Sequence, residues 1–184
     1  VHLGTGNYHP RTARLYTDFG LLTCNETLCA DVNEVFKQLT GLGKASRLNH
    51  LLLAPFTLHD AMLAAIRAEA ANARAGKRVR ILAKMNALLE PEIIEALYDA
   101  SQAGVTIDLI IRGACALRPG VEGLSDNISL RSVVGRFLEH TRVFYFYADG
   151  AQKMYLSSAD WMERNFFRRI ELCFPVLDPK LKRR

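Results

Sequence analysis

Residues 51–111 constrain the fold more than any other part of the chain, because three apolar runs there alternate with two helix-length stretches. Leu51 to Ala54 has the length and residue types of a buried strand, and Pro55 ends it. Thr57-x-x-Asp60 is a capping spacing, which predicts a helix running to Ala75 and closed by Gly76. Val79 to Ala83 reads as a strand leading into Lys84-Met85-Asn86. Pro91 stands early in a second helix, which Gly104 ends. Val105 to Ile111 is nearly all apolar, which predicts a strand buried on both faces, with Arg112 at its end. This order predicts a parallel sheet with right-handed crossovers. Ligands of such sheets gather beyond the strand C-termini, where Lys84, Asn86 and Arg112 fall.

Val143 to Tyr147 and Lys153 to Leu156 are short β-rich runs joined by Ala148-Asp149-Gly150, a hairpin signature. The hairpin would bring His140 and Arg142 beside Ser157, Ser158 and Asp160: a histidine, a cation, two hydroxyls and a carboxylate. Such a set suits a phosphoryl group. Ile128 to Val134 and Ile170 to Val176 read as further strands, so the sheet is expected to be mixed and flanked by helices. Near the start, Val1 to Leu3 and Phe19 to Thr23 read as strands, and Asp31 to Leu39 as a helix burying Val32, Val35, Phe36 and Leu39. Residues 40–46 form a Gly-rich connector and the expected domain boundary.

One pattern occurs twice. A shift of 153 positions places Thr5 on Ser158, Asn7 on Asp160, Tyr8 on Trp161, Arg11 on Arg164 and Asp18 on Glu171. Hydroxyl, short polar group, aromatic, arginine and carboxylate recur at one spacing, as expected for two copies of a half-site. In the second copy His140-x-Arg142 precedes the serines; its equivalent in the first would precede Val1. The expectation is therefore a fragment cut inside a domain.

Apolar residues make up 49% of the 184, enough for a core, and no run is long enough to span a membrane as a helix. A net charge of +5 suits an anionic partner, or is ordinary scatter with Lys180 to Arg184 as a charged tail. Cys24, Cys29, Cys115 and Cys173 form no C-x-x-C pair and read as reduced thiols of a cytoplasmic protein.

The two half-sites resemble the phospholipase D superfamily. The wording of His2-Leu-Gly-Thr-Gly-Asn-Tyr, Ala13-Arg-Leu-Tyr-Thr-Asp, Arg112-Gly-Ala-Cys-Ala-Leu-Arg-Pro-Gly, Arg136-Phe-Leu-Glu-His140 and Tyr155-Leu-Ser-Ser-Ala-Asp-Trp-Met resembles more particularly the C-terminal half of the bacterial polyphosphate kinase family. The resemblance implies an α/β, phospholipase D-like mixed or parallel sheet flanked by helices, with part of a second such domain. Residues 1–48 would be the tail of the first domain and 49–184 the second. It also implies reversible transfer of the terminal phosphate of ATP to polyphosphate through an upstream phosphohistidine, with Mg²⁺ held by upstream ligands. It places ATP contacts at Tyr16, Arg112 and His140, makes His140 the second catalytic histidine, and matches His2 to another histidine of the motif, which makes His2 a second candidate catalytic residue. The implied partners are ATP or ADP and polyphosphate, not nucleic acid. The intact protein would self-associate and meet the membrane peripherally, and this piece alone would be inactive.

Plainer readings apply elsewhere. His9, His50 and His59 read as surface or packing residues, the 144–147 aromatics as strand packing, and Tyr8 and Trp161 as wedges behind each half-site turn. Arg118, Arg136, Arg168 and Arg169 either line an anionic tunnel or are simply solvated or paired with Glu139 and Glu171. Rival readings of the whole are a phosphodiesterase or nuclease, disfavoured by Arg142 in place of Lys and Asp160 in place of Asn, and a non-enzymatic basic module binding nucleic acid, which lacks an aromatic-plus-basic alternation.

Overall fold

The computed structural model describes residues 1–41 and 48–183. Along the chain come β1 (His2–Gly4), β2 (Tyr16–Thr17), β3 (Gly20–Leu22), α1 (Glu26–Leu39), β4 (Leu52–Ala54), α2 (Leu58–Arg74), β5 (Val79–Met85), α3 (Pro91–Gln102), β6 (Thr106–Ile111), β7 (Ile128–Arg131), β8 (Leu138–Glu139), β9 (Arg142–Ala148), β10 (Ala151–Ser157), α4 (Glu163–Phe167) and β11 (Glu171–Pro175). Seven of these strands form one sheet, in the order β4-β11-β10-β9-β5-β6-β7.

The expected strand–helix alternation is present, but only β5, β6 and β7 pair in parallel. The β9–β10 hairpin turns on Asp149 and Gly150, at φ of 43° and 93°. Positive φ at both central residues matches the right-handed strand twist and closes the pair antiparallel. β9 then docks antiparallel on β5, and β11 lies between β10 and β4. β4 is thus carried to the far edge, and the sheet is mixed.

Two apolar clusters cover opposite faces. Ile81, Ala83, Met85, Ile107, Leu109, Ile111, Phe144 and Phe146 bury one face under α2 and α3. Leu3, Leu28, Leu51, Leu156, Phe174 and Val176 form the second cluster, which joins the first forty residues to β10 and β11. The aromatics of β9 divide between the faces by strand alternation. β6 is not buried on both faces as expected. Thr106 is exposed, and Asp108 accepts bonds from Arg80 and Ser129 on the face that α2 and α3 leave open.

Three local expectations are corrected. Thr57 sits at the N-cap of α2 but does not cap it, because its hydroxyl accepts from the Leu53 N–H instead. α1 begins at Glu26, capped by Asn25, rather than at Asp31. That longer helix buries Leu28 and Asp31 and leaves Phe36 and Leu39 exposed. The 40–46 connector lies mostly outside the described residues.

Candidate active site

Strand direction decides what meets. The C-terminal ends of β5, β6 and β10 and the N-terminal ends of β9 and β11 share one edge of the sheet. That edge carries Asn86, Arg112, Ser158, His140, Arg142 and Glu171, and Thr5 and Tyr16 reach it from the N-terminal segment. Together they line a cavity of about 240 Å³ with mostly polar walls.

His140 is held by Asp18, whose carboxylate oxygens lie 2.9 and 3.1 Å from Nδ1. Placing the proton on Nδ1, where this carboxylate accepts it, makes Nε2 the acceptor of the ring, facing the Arg142 Nη1 donor at 2.9 Å. Asp18 in turn accepts from the Thr5 hydroxyl at 2.7 Å. Tyr16 packs its ring against His140, with centroids 4.9 Å apart. β2 and β8 form the short parallel ladder that brings these two together, with Tyr16 opposite Leu138 and Thr17 opposite Glu139.

Arg142 is less free than its place beside His140 suggests. Its Nε and Nη2 bind Asp160 at 3.0 and 2.8 Å in a buried fork. Asp160 also accepts from the N–H groups of Asn86 and Ala87, tying β5 to this turn. Nη1 lies 2.9 and 3.1 Å from the two ring nitrogens of His140. Arg142 is therefore a buried prop whose charge Asp160 neutralises. Arg112 donates through Nε to Asn86 at 2.8 Å, and among the described residues its outer nitrogens bond to nothing else. Arg164 and Arg169 also line the cavity, and among the described residues their side chains make no hydrogen bond or ion pair. These three guanidinium groups are the cations open to an anion.

The expected pair of site serines separates. Ser158 lines the cavity and donates to Glu171. Ser157 is fully buried, donating to the Leu172 carbonyl and accepting from the Ala159 N–H. Neighbours in extended chain point to opposite sides. Behind Ser157, burial pushes the Cys173 thiol far up, against a smaller pull from the Ser157 hydroxyl, so it is no nucleophile.

His2 is not brought to the cavity; its Nε2 lies 2.9 Å from the Tyr8 hydroxyl. Tyr8 is 69% exposed rather than wedged, whereas its counterpart Trp161 is fully buried against Phe144. Of the arginines expected to line a tunnel or pair with Glu139 and Glu171, only Arg169 reaches the cavity. Arg168 pairs with Glu163, Arg136 lies over the Phe137 ring, and Glu139 pairs with Lys84. Lys84 thus points away from the cavity that Asn86 and Arg112 line. Sequence reasoning missed Asp18 as a site residue, although the repeat had singled it out with Glu171 as a recurring carboxylate.

The family model described as polyphosphate kinase C-terminal domain 1 matches residues 1–45, and that of C-terminal domain 2 matches residues 51–184. Polyphosphate kinase of Burkholderia ambifaria is 67% identical over the whole chain, which spans 27% of that relative's length. The crystal structure of polyphosphate kinase from Porphyromonas gingivalis superposes with a TM-score of 0.94 at 43% identity, covering 99% of this chain and 28% of that one. A phospholipase D family member, Nuc from Salmonella typhimurium, matches at a TM-score of 0.50 and 17% identity over 72% of this chain and 85% of its own, a likeness of fold alone. The two family models together with the superposition place this chain in the polyphosphate kinase family, as its C-terminal domains 1 and 2.

Proposed function

We propose that the longer protein containing this chain transfers the terminal phosphate of ATP reversibly to inorganic polyphosphate. The observation that carries this is His140, oriented by Asp18, sharing one cavity with Tyr16 and the open guanidinium of Arg112. Phosphoryl transfer asks a protein for positioning and charge neutralisation more than for covalent chemistry. Arg112 presents a planar fork to phosphate oxygens, and Arg164 and Arg169 add charge at the same wall. His140 offers Nε2 to accept or return a proton, or to bond the moving group. Tyr16 stacks on the base or donates its hydroxyl. The nucleophile in this reading is a histidine of the other half-site, which becomes the phosphohistidine; Glu171 stands where Asp18 stands for His140 and would orient it. His2 serves by holding Tyr8 rather than by touching substrate.

Magnesium finds no seat on these residues. Among the described residues no three His, Cys, Asp or Glu side chains are grouped to ligate an ion. Asp18, Asp160 and Glu171 are each committed to a neighbour. In this reading the ion's ligands belong to the longer protein, and no step is assigned to it. No helix among the described residues is long and apolar enough to cross a membrane. The free thiols of Cys24, Cys29, Cys115 and Cys173 suit the reducing cytoplasmic setting of this reading.

The test uses the longer protein with γ-labelled ATP and Mg²⁺, beside a His140→Ala version. Acid-labile, base-stable label on the protein, with polymer lost in the variant, supports the reading. A folded protein giving neither label nor polymer, yet cleaving phosphodiesters, would replace it with the phosphodiesterase reading.

A further inference from the structure

Lys84 lies on β5, next to the catalytic edge, yet its side chain turns from the cavity. Its Nζ reaches Glu139 at 2.9 Å and also bonds the Thr141 hydroxyl. These two residues flank His140 in the sequence. In extended chain, residues 139 and 141 project to one side and residue 140 to the other. One ammonium group therefore grips the back of the strand whose front carries the histidine. Lys84 and Glu139 are largely covered, with 19% and 27% of their side chains exposed, and Thr141 is 5% exposed. The grip also bears on Tyr16. Glu139 belongs to β8, whose partner β2 supplies Tyr16, and the ladder is only two residues long. It is extended by the bonds from the Leu138 N–H to the Leu15 carbonyl and from the His140 N–H to the Thr17 carbonyl, at 2.8 and 3.3 Å. So short a parallel ladder has little strength of its own, and needs an outside anchor to hold two side chains in register.

We propose that Lys84 is a positioning residue for the phosphoryl-transfer site, clamping residues 139–141 to the rigid sheet so that His140 keeps its geometry against Asp18 and Tyr16. The catalytic part of this inference rests on the kinase reading above; the clamp itself does not. Lys84→Met removes the donor while keeping the length and apolar stem of the side chain, and Lys84→Arg restores a donor.

The clamp is read by amide hydrogen exchange on the longer protein, followed by mass spectrometry of the peptides that contain Leu138 and His140. In Lys84→Met the amides of Leu138 and His140 are expected to exchange about tenfold faster or more, the loss that follows from removing a bond to a charged group. Amides of the β5–β6 ladder should be unchanged, and Lys84→Arg should restore protection. Equal protection in wild type and Lys84→Met overturns the clamp, and faster exchange throughout the sheet reduces Lys84 to a general stability residue and overturns it too. The catalytic part is read by kinetics on the longer protein. Lys84→Met should lower kcat by about 100-fold, as a displacement near 1 Å does, while KM for ATP moves much less. Lys84→Arg should recover most of the loss. Unchanged kcat beside faster Leu138 and His140 exchange overturns the positioning role. A wild-type protein that makes no polymer sinks the kinase reading and with it the catalytic part, while the exchange result still decides the clamp.

Discussion

Thr5 and Ser158, 153 positions apart, make the same three hydrogen bonds. Thr5 donates its N–H to the Phe19 carbonyl at 3.0 Å, accepts from the Phe19 N–H at 3.0 Å, and donates its hydroxyl to Asp18. Ser158 donates its N–H to the Leu172 carbonyl at 2.9 Å, accepts from the Leu172 N–H at 3.0 Å, and donates its hydroxyl to Glu171. Every partner is displaced by the same 153 positions. The strands repeat likewise: His2 faces Leu22 and Gly4 faces Gly20, as Tyr155 faces Pro175 and Ser157 faces Cys173. One half-site is built twice, and in the first copy its hydroxyl fixes the carboxylate that holds the His140 imidazole.

Thr5→Val keeps the shape and removes both roles of the hydroxyl. Thr5 is fully buried, so the Phe19 N–H loses its acceptor out of reach of water. Urea unfolding should show a loss of about 1–3 kcal/mol. Ser158→Ala, at a partly covered position, should cost less. Equal stability of Thr5→Val and wild type would contradict the arrangement.

Asp18→Asn keeps the size of the side chain and can present its N–H₂ to His140, which rewards the opposite tautomer. The proton then moves to Nε2, where it faces the Arg142 Nη1 donor at 2.9 Å and takes away the lone pair that the proposed chemistry uses. In the longer protein, polymer synthesis should fall about 100-fold or more, the range by which positioned acid–base groups act. Circular dichroism should be unchanged. An Asp18→Asn protein with full activity would show that His140 does not depend on this carboxylate.

The repeat was legible because it rests on residue classes at constant spacing, and hydrogen-bond roles follow class: Thr for Ser, Asp for Glu. The hairpin was legible because Asp149-Gly150 tolerates positive φ where other pairs do not. What stayed hidden depends on residues distant in sequence. Arg142 looked like a phosphate ligand until Asp160 was seen to occupy its fork. Ser157 and Ser158 looked alike until the pleat sent one inward. Tyr8 and Trp161 match in sequence, yet only Trp161 has Phe144 behind it to pack on. The parallel sheet was overextended for the same reason, because nothing local to Leu52–Ala54 announces that β11 will claim its edge.

Arg142→Met should be among the most damaging single changes. It leaves the Asp160 carboxylate buried without its cation, a situation that costs about 3–5 kcal/mol. Asp160→Asn in the same chain should recover part of that loss, because Asn still accepts from the Asn86 N–H and carries no charge. A double-mutant cycle by urea unfolding reads the coupling directly. Additive effects would mean that the fork seen between the two side chains contributes little.

Asp31 supplies one pH-dependent part of stability. It is buried in α1 and accepts from the backbone N–H groups of Asn49, His50 and Leu51 and from the Asn49 side chain, tying the helix to the start of β4. Burial pushes its carboxyl up, but the donors of Asn49, His50 and Leu51 outweigh burial and hold it below the ordinary value. With the folded-state pKa lower than the unfolded one, the unfolded chain binds more protons in acid. The contribution is then complete above the ordinary carboxylate value, about 3.9, and is lost as pH falls through the lower folded value. Asp31→Asn should be less stable than wild type by about 1–3 kcal/mol near neutrality. The difference should shrink steadily below about pH 4, because the wild-type carboxyl takes up its proton there. Comparing the two proteins is necessary because Asp108 is also held low, by Ser129 and Arg80 against its burial, and contributes to the wild-type slope at the same pH. Denaturant unfolding of both at several pH values between neutrality and the acid limit makes the measurement. A difference that stays constant across that range would show that Asp31 acts through shape rather than charge.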